Sequence, residues 1–477
     1  MGRRETSTKS RFVERQLCCA PVTGAVPHAP QVSIATSFPH RAATLCALYF
    51  AQGVPNGFVT IALVAYLNAE GVARQETATL LSLALLPWSF KLVWGPIIDS
   101  FQLPALGLRR PWIVAAQLGM AGTLLAASTS DTLTDSRTIG FLALVFFLHN
   151  SFQSLQDVST DAMAMDLLPP NERGRMNGFM WASKLLGTSL GGIVFATVLV
   201  RWGLTLGVRI QAGLVLAIML LPLLVRERAG EKLFPWSPGR RMAPHGVAVD
   251  IAGVTVGLRR AVAGPLTVVR ELWRAFGLRT TAIAAAVAFF TIVNEGFHDA
   301  LTPAVFTQTL GFTAEQYSRM QGVWGLAGRI LGAIGGGYLC DRLGRRLMMG
   351  VGAGTAALAY LVFGLTAALW SSPGYPLALF ILLVQGGIAM TAVSLFSLCM
   401  KISWTAAAAT QFTVYMALGN LGYAAGPMLT RLRLDDPTSY LAAAVVACLP
   451  VPFLFLLRPD AVEARRKAEQ EERARAA

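Results

Sequence analysis

Charge is scarce in this chain: only 14% of its 477 residues are Asp, Glu, Lys or Arg, where a soluble domain carries roughly 25%. An ordinary soluble globule is thereby excluded. Histidine is scarcer still, with His28, His40, His149, His245 and His298 as the whole set and no His-Glu-x-x-His among them, so a zinc hydrolase has no ligands to build from. The six cysteines, Cys18, Cys19, Cys46, Cys340, Cys399 and Cys448, form no Cys-x-x-Cys and no Cys/His cluster, which excludes a zinc ribbon or a disulfide scaffold. No metal and no cofactor is expected. The 41 residues before the first long apolar run hold Arg3, Arg4, Lys9, Arg11 and Arg15 but no continuous apolar segment, so no cleaved signal peptide is expected.

What the chain has is apolar length: 54% hydrophobic residues and 45 glycines. A membrane span needs roughly 20 apolar residues, and runs of that kind fall near 42–69, 76–98, 111–130, 138–166, 173–199, 204–225, 280–306, 316–340, 346–369, 375–401, 405–430 and 438–457. The fold class is an all-α polytopic membrane protein of about twelve transmembrane helices, with the lipid bilayer as its surroundings. Its net charge of +14 does not gather into one basic face, so no nucleic-acid partner is expected.

The basic residues sit in the connectors, as the positive-inside rule requires. Arg109, Arg110, Arg173, Arg175, the 226–279 segment, Arg342, Arg345, Arg346 and the run Arg465, Arg466, Lys467 all fall on one side. The other side carries only Arg74, Arg137, Arg201, and Arg431 with Arg433 facing Asp435 and Asp436. Both termini are therefore expected in the cytoplasm. The organisation expected is a tail over 1–41, a six-helix bundle over 42–225, a linker over 226–279, a second bundle over 280–457 and a charged tail over 458–477. In the linker, Val254, Leu258, Val262, Val269, Leu272 and Phe276 recur at helical spacing among arginines, the pattern of a helix lying on a membrane surface and broken at Pro265.

The halves form a degenerate repeat. Asp99 ends the second run and Asp341 the eighth, an offset of 341 − 99 = 242, and an arginine pair follows each. The same offset sets Gln52 on Asn294, since 294 − 52 = 242. Repeats of this kind build many transporters, with the site between them near the midplane.

The run Gly337-Tyr338-Leu339-Cys340-Asp341-Arg342-Leu343-Gly344-Arg345-Arg346 resembles the loop signature of the major facilitator superfamily. Its carboxylate is placed to engage loop arginines and a helix terminus, a lock that would break as the bundles rock. Asp99, Arg109 and Arg110 repeat it in the first half. Three further stretches narrow the resemblance: Tyr49-Phe50-Ala51-Gln52-Gly53-Val54-Pro55, Pro87 through Asp99, and Gln156-Asp157-Val158-Ser159-Thr160-Asp161-Ala162. With Glu172-Arg173-Gly174 and Asp299-Ala300 they look like the muropeptide-permease (AmpG-like) branch, which also contains acetyl-CoA transporters. That resemblance implies a major facilitator fold and proton-coupled uptake of a sizeable polar or anionic solute, muropeptide-like, in a bacterial inner membrane, by a monomer. The Pro-Trp-x-x-Lys stretch also resembles folate-biopterin transporters, and siderophore importers are related.

Polar residues concentrate on every third helix. Gln52 and Asn56 lie on the first; His149, Asn150, Gln153, Gln156 and Asp157 on the fourth; Asn294, Glu295 and His298 on the seventh; Gln385 on the tenth. A charge at the bilayer centre costs about 2.5–3.5 kcal/mol on insertion scales, so these groups should line a water-filled pathway for a small-molecule solute and protons. His149, Gln153, Asp157 and Asp161 follow one another at i, i+4 and form a stripe. Asp157 and Lys184 stand at similar chain distances from the connector between them, about 20 Å deep at 1.5 Å per residue. An ion pair between them is expected, either as a proton switch or as a fixed structural pair. Glu295 and Asp299, one turn apart, are a second candidate for the proton or the solute. Lys91 suits anion attraction or snorkelling to the interface, and Arg329 either an anionic solute or a cavity carboxylate.

Glycines at 187, 191 and 192 and at 332, 335, 336 and 337 suit close helix packing better than a phosphate loop, since no Gly-Lys-Ser/Thr follows. Pro55, Pro87, Pro96, Pro303 and Pro427 are expected to kink helices. Two other classes stay open on the sequence: an intramembrane enzyme using His149 with Asp157 or His298 with Glu295, and a membrane sensor or scaffold without transport.

Overall fold

The structure is a computed structural model, and it describes residues 33–100, 106–130, 135–169, 172–237, 273, 276–277, 279–402 and 408–457. The described residues form twelve helical spans once the long helix Arg173–Leu224 is divided at Gly203, whose φ of 80° takes it out of the helix. The spans are α1 (Phe38–Ala69), α2 (74–100), α3 (Arg110–Ala127), α4 (Ser136–Leu167), α5 (173–202), α6 (204–224), α7 (Arg279–Thr309), α8 (314–343), α9 (Arg345–Leu365), α10 (Leu377–Ile402), α11 (408–432) and α12 (Asp436–Leu456). The sequence-derived linker helix at 254–276 lies almost wholly outside the described residues.

Prolines shape several spans. Pro55 is followed by a wide turn over Phe58–Leu63, and Pro303 by another over Val305–Thr309, so the two halves deform alike. Pro87 and Pro427 open tightened 3₁₀ stretches, Leu86–Val93 and Gly426–Leu432. Proline lacks an N–H and its ring crowds the carbonyl four residues back, so the hydrogen-bond ladder must be rewound locally.

Within each half, helix backbones meet with no side chain between them. A Cβ added at Gly57 of α1 would stand 1.8 Å from the Thr188 carbonyl oxygen of α5, and one at Gly53 would stand 2.3 Å from that of Lys184. In the other half, a Cβ added at Gly296 of α7 would stand 2.0 Å from the Tyr423 carbonyl oxygen of α11, and one at Gly426 would stand 2.3 Å from that of Val293. Small residues let backbones approach this closely, and in lipid such packing replaces the hydrophobic drive for helix association.

Among the described residues, the two halves are joined at the end far from the termini. At the distal end Arg74 of α2 forms an ion pair with Asp436 of α12, its Nε donates to Gln308 Oε1 at 2.8 Å, and Thr309 donates to the same Asp436. Gln308 Nε2 reaches the Asn68 and Val72 carbonyls at 3.1 and 3.2 Å, and Thr197 of α5 donates to Glu315 of α8 at 3.0 Å. Midway, Asn420 of α11 donates to the Trp88 carbonyl of α2 at 3.0 Å. Beyond it, Trp94–Ser100 at the proximal end of α2 makes its main contacts within its own half. The bonds given between described residues of the two halves thus gather at the distal end and midway.

That proximal side of the first half is tied by a clasp. Ile34 and Ala35 donate backbone N–H groups to the Arg226 and Glu227 carbonyls at 2.8 and 3.1 Å, and Arg41 reaches Glu172 at 2.7 Å. Glu227, fully buried, accepts from the backbone N–H groups of Arg109 and Arg110 at 3.0 and 3.2 Å. The buried Arg110 guanidinium donates to the carbonyls of Leu106, Pro222, Leu223, Lys232 and Leu233.

Candidate functional site

In the first half, one carboxylate of α4 stands between two lysines. Asp157 Oδ2 lies 3.5 Å from Lys91 Nζ of α2, and Asp157 Oδ1 lies 3.9 Å from Lys184 Nζ of α5. The expected proximity of Asp157 and Lys184 is present, and Lys91 lies nearer still. Lys184 is held over three ring faces, 4.5 Å from the centre of Trp88, 5.5 Å from Trp181 and 5.7 Å from Tyr49. Ring quadrupoles attract a cation in such positions. Trp88 donates in turn to Asn150 Oδ1 at 2.9 Å. One turn past Asp157, Asp161 accepts a hydrogen bond from the Tyr49 hydroxyl.

The second half carries a matching cluster. Arg329 of α8 lies 3.0 Å from Glu295 Oε1 of α7 and donates through Nε to Gln385 Oε1 of α10 at 2.8 Å. Of the two readings the sequence left for Arg329, it adopts the pairing with a carboxylate. Asp299 accepts from the Tyr423 hydroxyl of α11 at 2.6 Å. Lys91, Lys184, Glu295 and Arg329 keep side-chain exposures of 20, 16, 16 and 28% although each lies within a span. Ionised groups facing lipid are costly.

Several expected pathway residues point elsewhere. His149 turns to α3, 3.1 Å from Thr123 Oγ1 and 3.2 Å from the Met120 carbonyl oxygen. His298 is fully buried beside Tyr360 and Phe380, with Thr302 Oγ1 3.0 Å from its Nδ1. Gln153 and Gln156 spend their N–H groups on the Gln52 and Leu48 carbonyls of α1. The physical reason is angular drift: each i, i+4 step overshoots a turn by about 40°, so the stripe from His149 to Asp161 winds from α3 around to the passage. Gln52 is fully buried and Asn294 nearly so, while Asn56 is half-buried.

The loop arginines have partners of their own. Arg109 Nε meets Asp166 at 2.9 Å, Arg342 stacks on Tyr338 at 4.3 Å, Arg345 donates to Ser397 at 2.6 Å, and Arg346 donates to the Leu457 carbonyl. The side chains of Asp99 and Asp341 lie outside the described set. Residues missed as site members are Tyr49, Trp88, Trp181, Asp161 and Tyr423. Tyr49, Trp88 and Asp161 do stand in the stretches that carry the family resemblance; nothing comparable marked Trp181 or Tyr423.

Two six-helix halves, joined at the distal end and each holding a charge cluster within its spans, have the build of a membrane solute carrier. The model of the Major Facilitator Superfamily matches residues 44–427, and the chain belongs to that family, a family of transporters and not of enzymes. The chain is 27% identical over 387 residues to the anhydromuropeptide permease of Escherichia coli K12, covering 80% of this chain and 72% of that protein. A putative transporter AmpG 4 of Rickettsia conorii is 22% identical over 303 residues, covering 61% of this chain and 66% of that one. The muropeptide-permease resemblance of the sequence is thus borne out. Among solved structures, a POT family transporter in complex with 5-aminolevulinic acid matches with a TM-score of 0.64 at 14% identity, over 88% of this chain and 96% of that one. The inward-open xylose transporter XylE of E. coli matches at 0.60 and 16%, over 87% and 94%. These two speak for the fold alone.

Proposed function

We propose that the protein is a proton-coupled importer of a sizeable polar or anionic solute of the anhydromuropeptide kind, working by alternating access. Its place is a bacterial cytoplasmic membrane, with both termini in the cytoplasm, and its passage opens on that side. The observation that carries this reading is the Lys91–Asp157–Lys184 cluster, an ionised and water-reachable group inside an otherwise apolar helix bundle. Such a group is expensive to keep in a membrane and is retained where ions or solutes pass. Protonation within the cluster changes which ammonium groups are held, and this biases the inward and outward states against each other. Glu295 and Asp299 are the corresponding carboxylates of the second half.

The bundles over 42–225 and 280–457 are the moving bodies in this scheme, and Asp99 and Asp341 with the loop arginines form its cytoplasmic lock. The solute class follows from the name of the E. coli relative.

The test is uptake of a radiolabelled anhydromuropeptide into proteoliposomes, with and without an imposed inward proton gradient. Gradient-driven accumulation that a protonophore abolishes is expected. Equal uptake with and without the gradient would remove proton coupling, and no uptake at all would remove this solute class.

A further inference from the structure

Taking the chain as a proton-coupled carrier, we propose that Asp161 binds the coupling proton, and that Lys91 and Lys184 bind a carboxylate of the solute only while Asp161 is protonated.

The two acids of the cluster are held differently. Each oxygen of Asp157 faces its own ammonium, Oδ2 at 3.5 Å and Oδ1 at 3.9 Å, so protonating it would leave two cations without their counterion. Asp161 has no ion-pair partner among the described residues; the Tyr49 hydroxyl meets one of its oxygens and the other is free for a proton. Asp161 is also half-buried where Asp157 is buried. It lies one turn nearer the open end of the passage, where water arrives first. The titratable and charged groups that act on it are Tyr49 on α1, Lys91 on α2, Asp157 on α4 and Lys184 on α5.

Charge counting then couples the two ligands. With both acids ionised, two ammonium groups balance two carboxylates. When a proton from water forms an O–H bond on Asp161, one positive charge is left over, shared by two lysines that remain reachable. A solute carboxylate restores the balance, while the rings of Trp88, Trp181 and Tyr49 offer apolar faces beside it. Coupling of this kind is reciprocal, so the anion favours the proton as much as the proton favours the anion. Loss of the proton to the cytoplasm ejects the solute on the same side.

The test measures binding of a radiolabelled anhydromuropeptide, and of its carboxamide derivative, to the purified full-length protein between about pH 5.5 and pH 8.5. In the wild type the Kd for the acid rises about tenfold per pH unit on the alkaline side, as linkage to one proton demands. Asp161→Asn flattens the profile while binding persists. Lys91→Gln combined with Lys184→Gln abolishes the preference for the acid over the amide. Tyr49→Phe, which keeps the carboxyl group and its surroundings, displaces the midpoint. A slope retained in Asp161→Asn, a flat profile confined to Asp157→Asn, an unmoved midpoint in Tyr49→Phe, or equal binding of acid and amide by the wild type would each overturn the proposal. If wild-type vesicles show no gradient-driven uptake, the carrier reading itself fails. Gradient-driven uptake with an unchanged slope in Asp161→Asn sinks only the assignment of the proton.

Discussion

Removing the Arg74 guanidinium should unlatch the distal end. Arg74 and Asp436 are the ion pair that ties α2 to α12 across the two halves, and their side chains are 24 and 13% exposed. An exposed pair is worth at most about 1 kcal/mol, but this one is partly shielded, and Arg74 also donates to Gln308 at 2.8 Å. A charge-assisted hydrogen bond adds roughly 1.5 kcal/mol before solvent competition is discounted. A combined loss of about 1–2 kcal/mol in Arg74→Ala corresponds to a shift of roughly 5- to 30-fold in the balance between the proximal-open and distal-open states. Pulsed electron–electron distance measurements between spin labels at the exposed positions Glu70 and Ser371, in a background with the native cysteines replaced, report that balance directly. The longer-distance population should grow in Arg74→Ala and in Asp436→Asn, and fall back when Arg74→Asp is combined with Asp436→Arg. An Arg74→Ala distribution identical to the wild type would show that the latch holds nothing, and a reversed pair that restores nothing would show that the two residues act separately.

Two further outcomes follow from other parts of the molecule. Gly57→Val should abolish the stable fold, since even a Cβ would stand 1.8 Å from the Thr188 carbonyl, whereas Gly122→Ala, with open space around it, should leave thermal stability in detergent within about 1 kcal/mol of the wild type. In the proximal clasp, burial and the adjacent Glu227 carboxylate push Glu231 up from 4.5 to about 7. The folded clasp holds that proton where an unfolded segment releases it, so its stability is greatest below about 4.5, falls as pH rises toward 7, and is lowest above that. Hydrogen exchange over residues 226–233, corrected for intrinsic rates, should be faster near pH 8 than near pH 5, and Glu231→Gln should remove the difference.

The spans were legible because apolar length is a one-dimensional property, and the basic connectors were legible for the same reason. The half-to-half offset of 242 residues placed Gln52 opposite Asn294, and both do lie buried on the first helices of their halves. The site was less legible because a helical stripe says which residues share a face but not which neighbour that face meets. His149 and His298 looked like pathway residues by their chemistry, yet each is absorbed by packing within its own half. Lys91 was read as attracting anions or snorkelling outward, and its proximity to Asp157 was not foreseen. Tyr49 and Trp88 went unchosen because an aromatic ring in a membrane span reads as lipid-facing or core until a cation is seen beside it.

The backbone contact between α1 and α5 has a consequence for descent and for engineering. Where Gly53 and Gly57 meet the carbonyl oxygens of Lys184 and Thr188, neither helix can change without the other, so the two are inherited as a matched set although more than a hundred residues separate them. A chimera that borrows α1 alone from a relative bearing a larger residue at either position should fail, whereas one that exchanges α1 and α5 together keeps the joint. Lys184 supplies both a carbonyl to that joint and an ammonium to the charge cluster. Divergence toward a new cargo is therefore easiest on α2 and α4, and most constrained at the helix pair whose backbones touch.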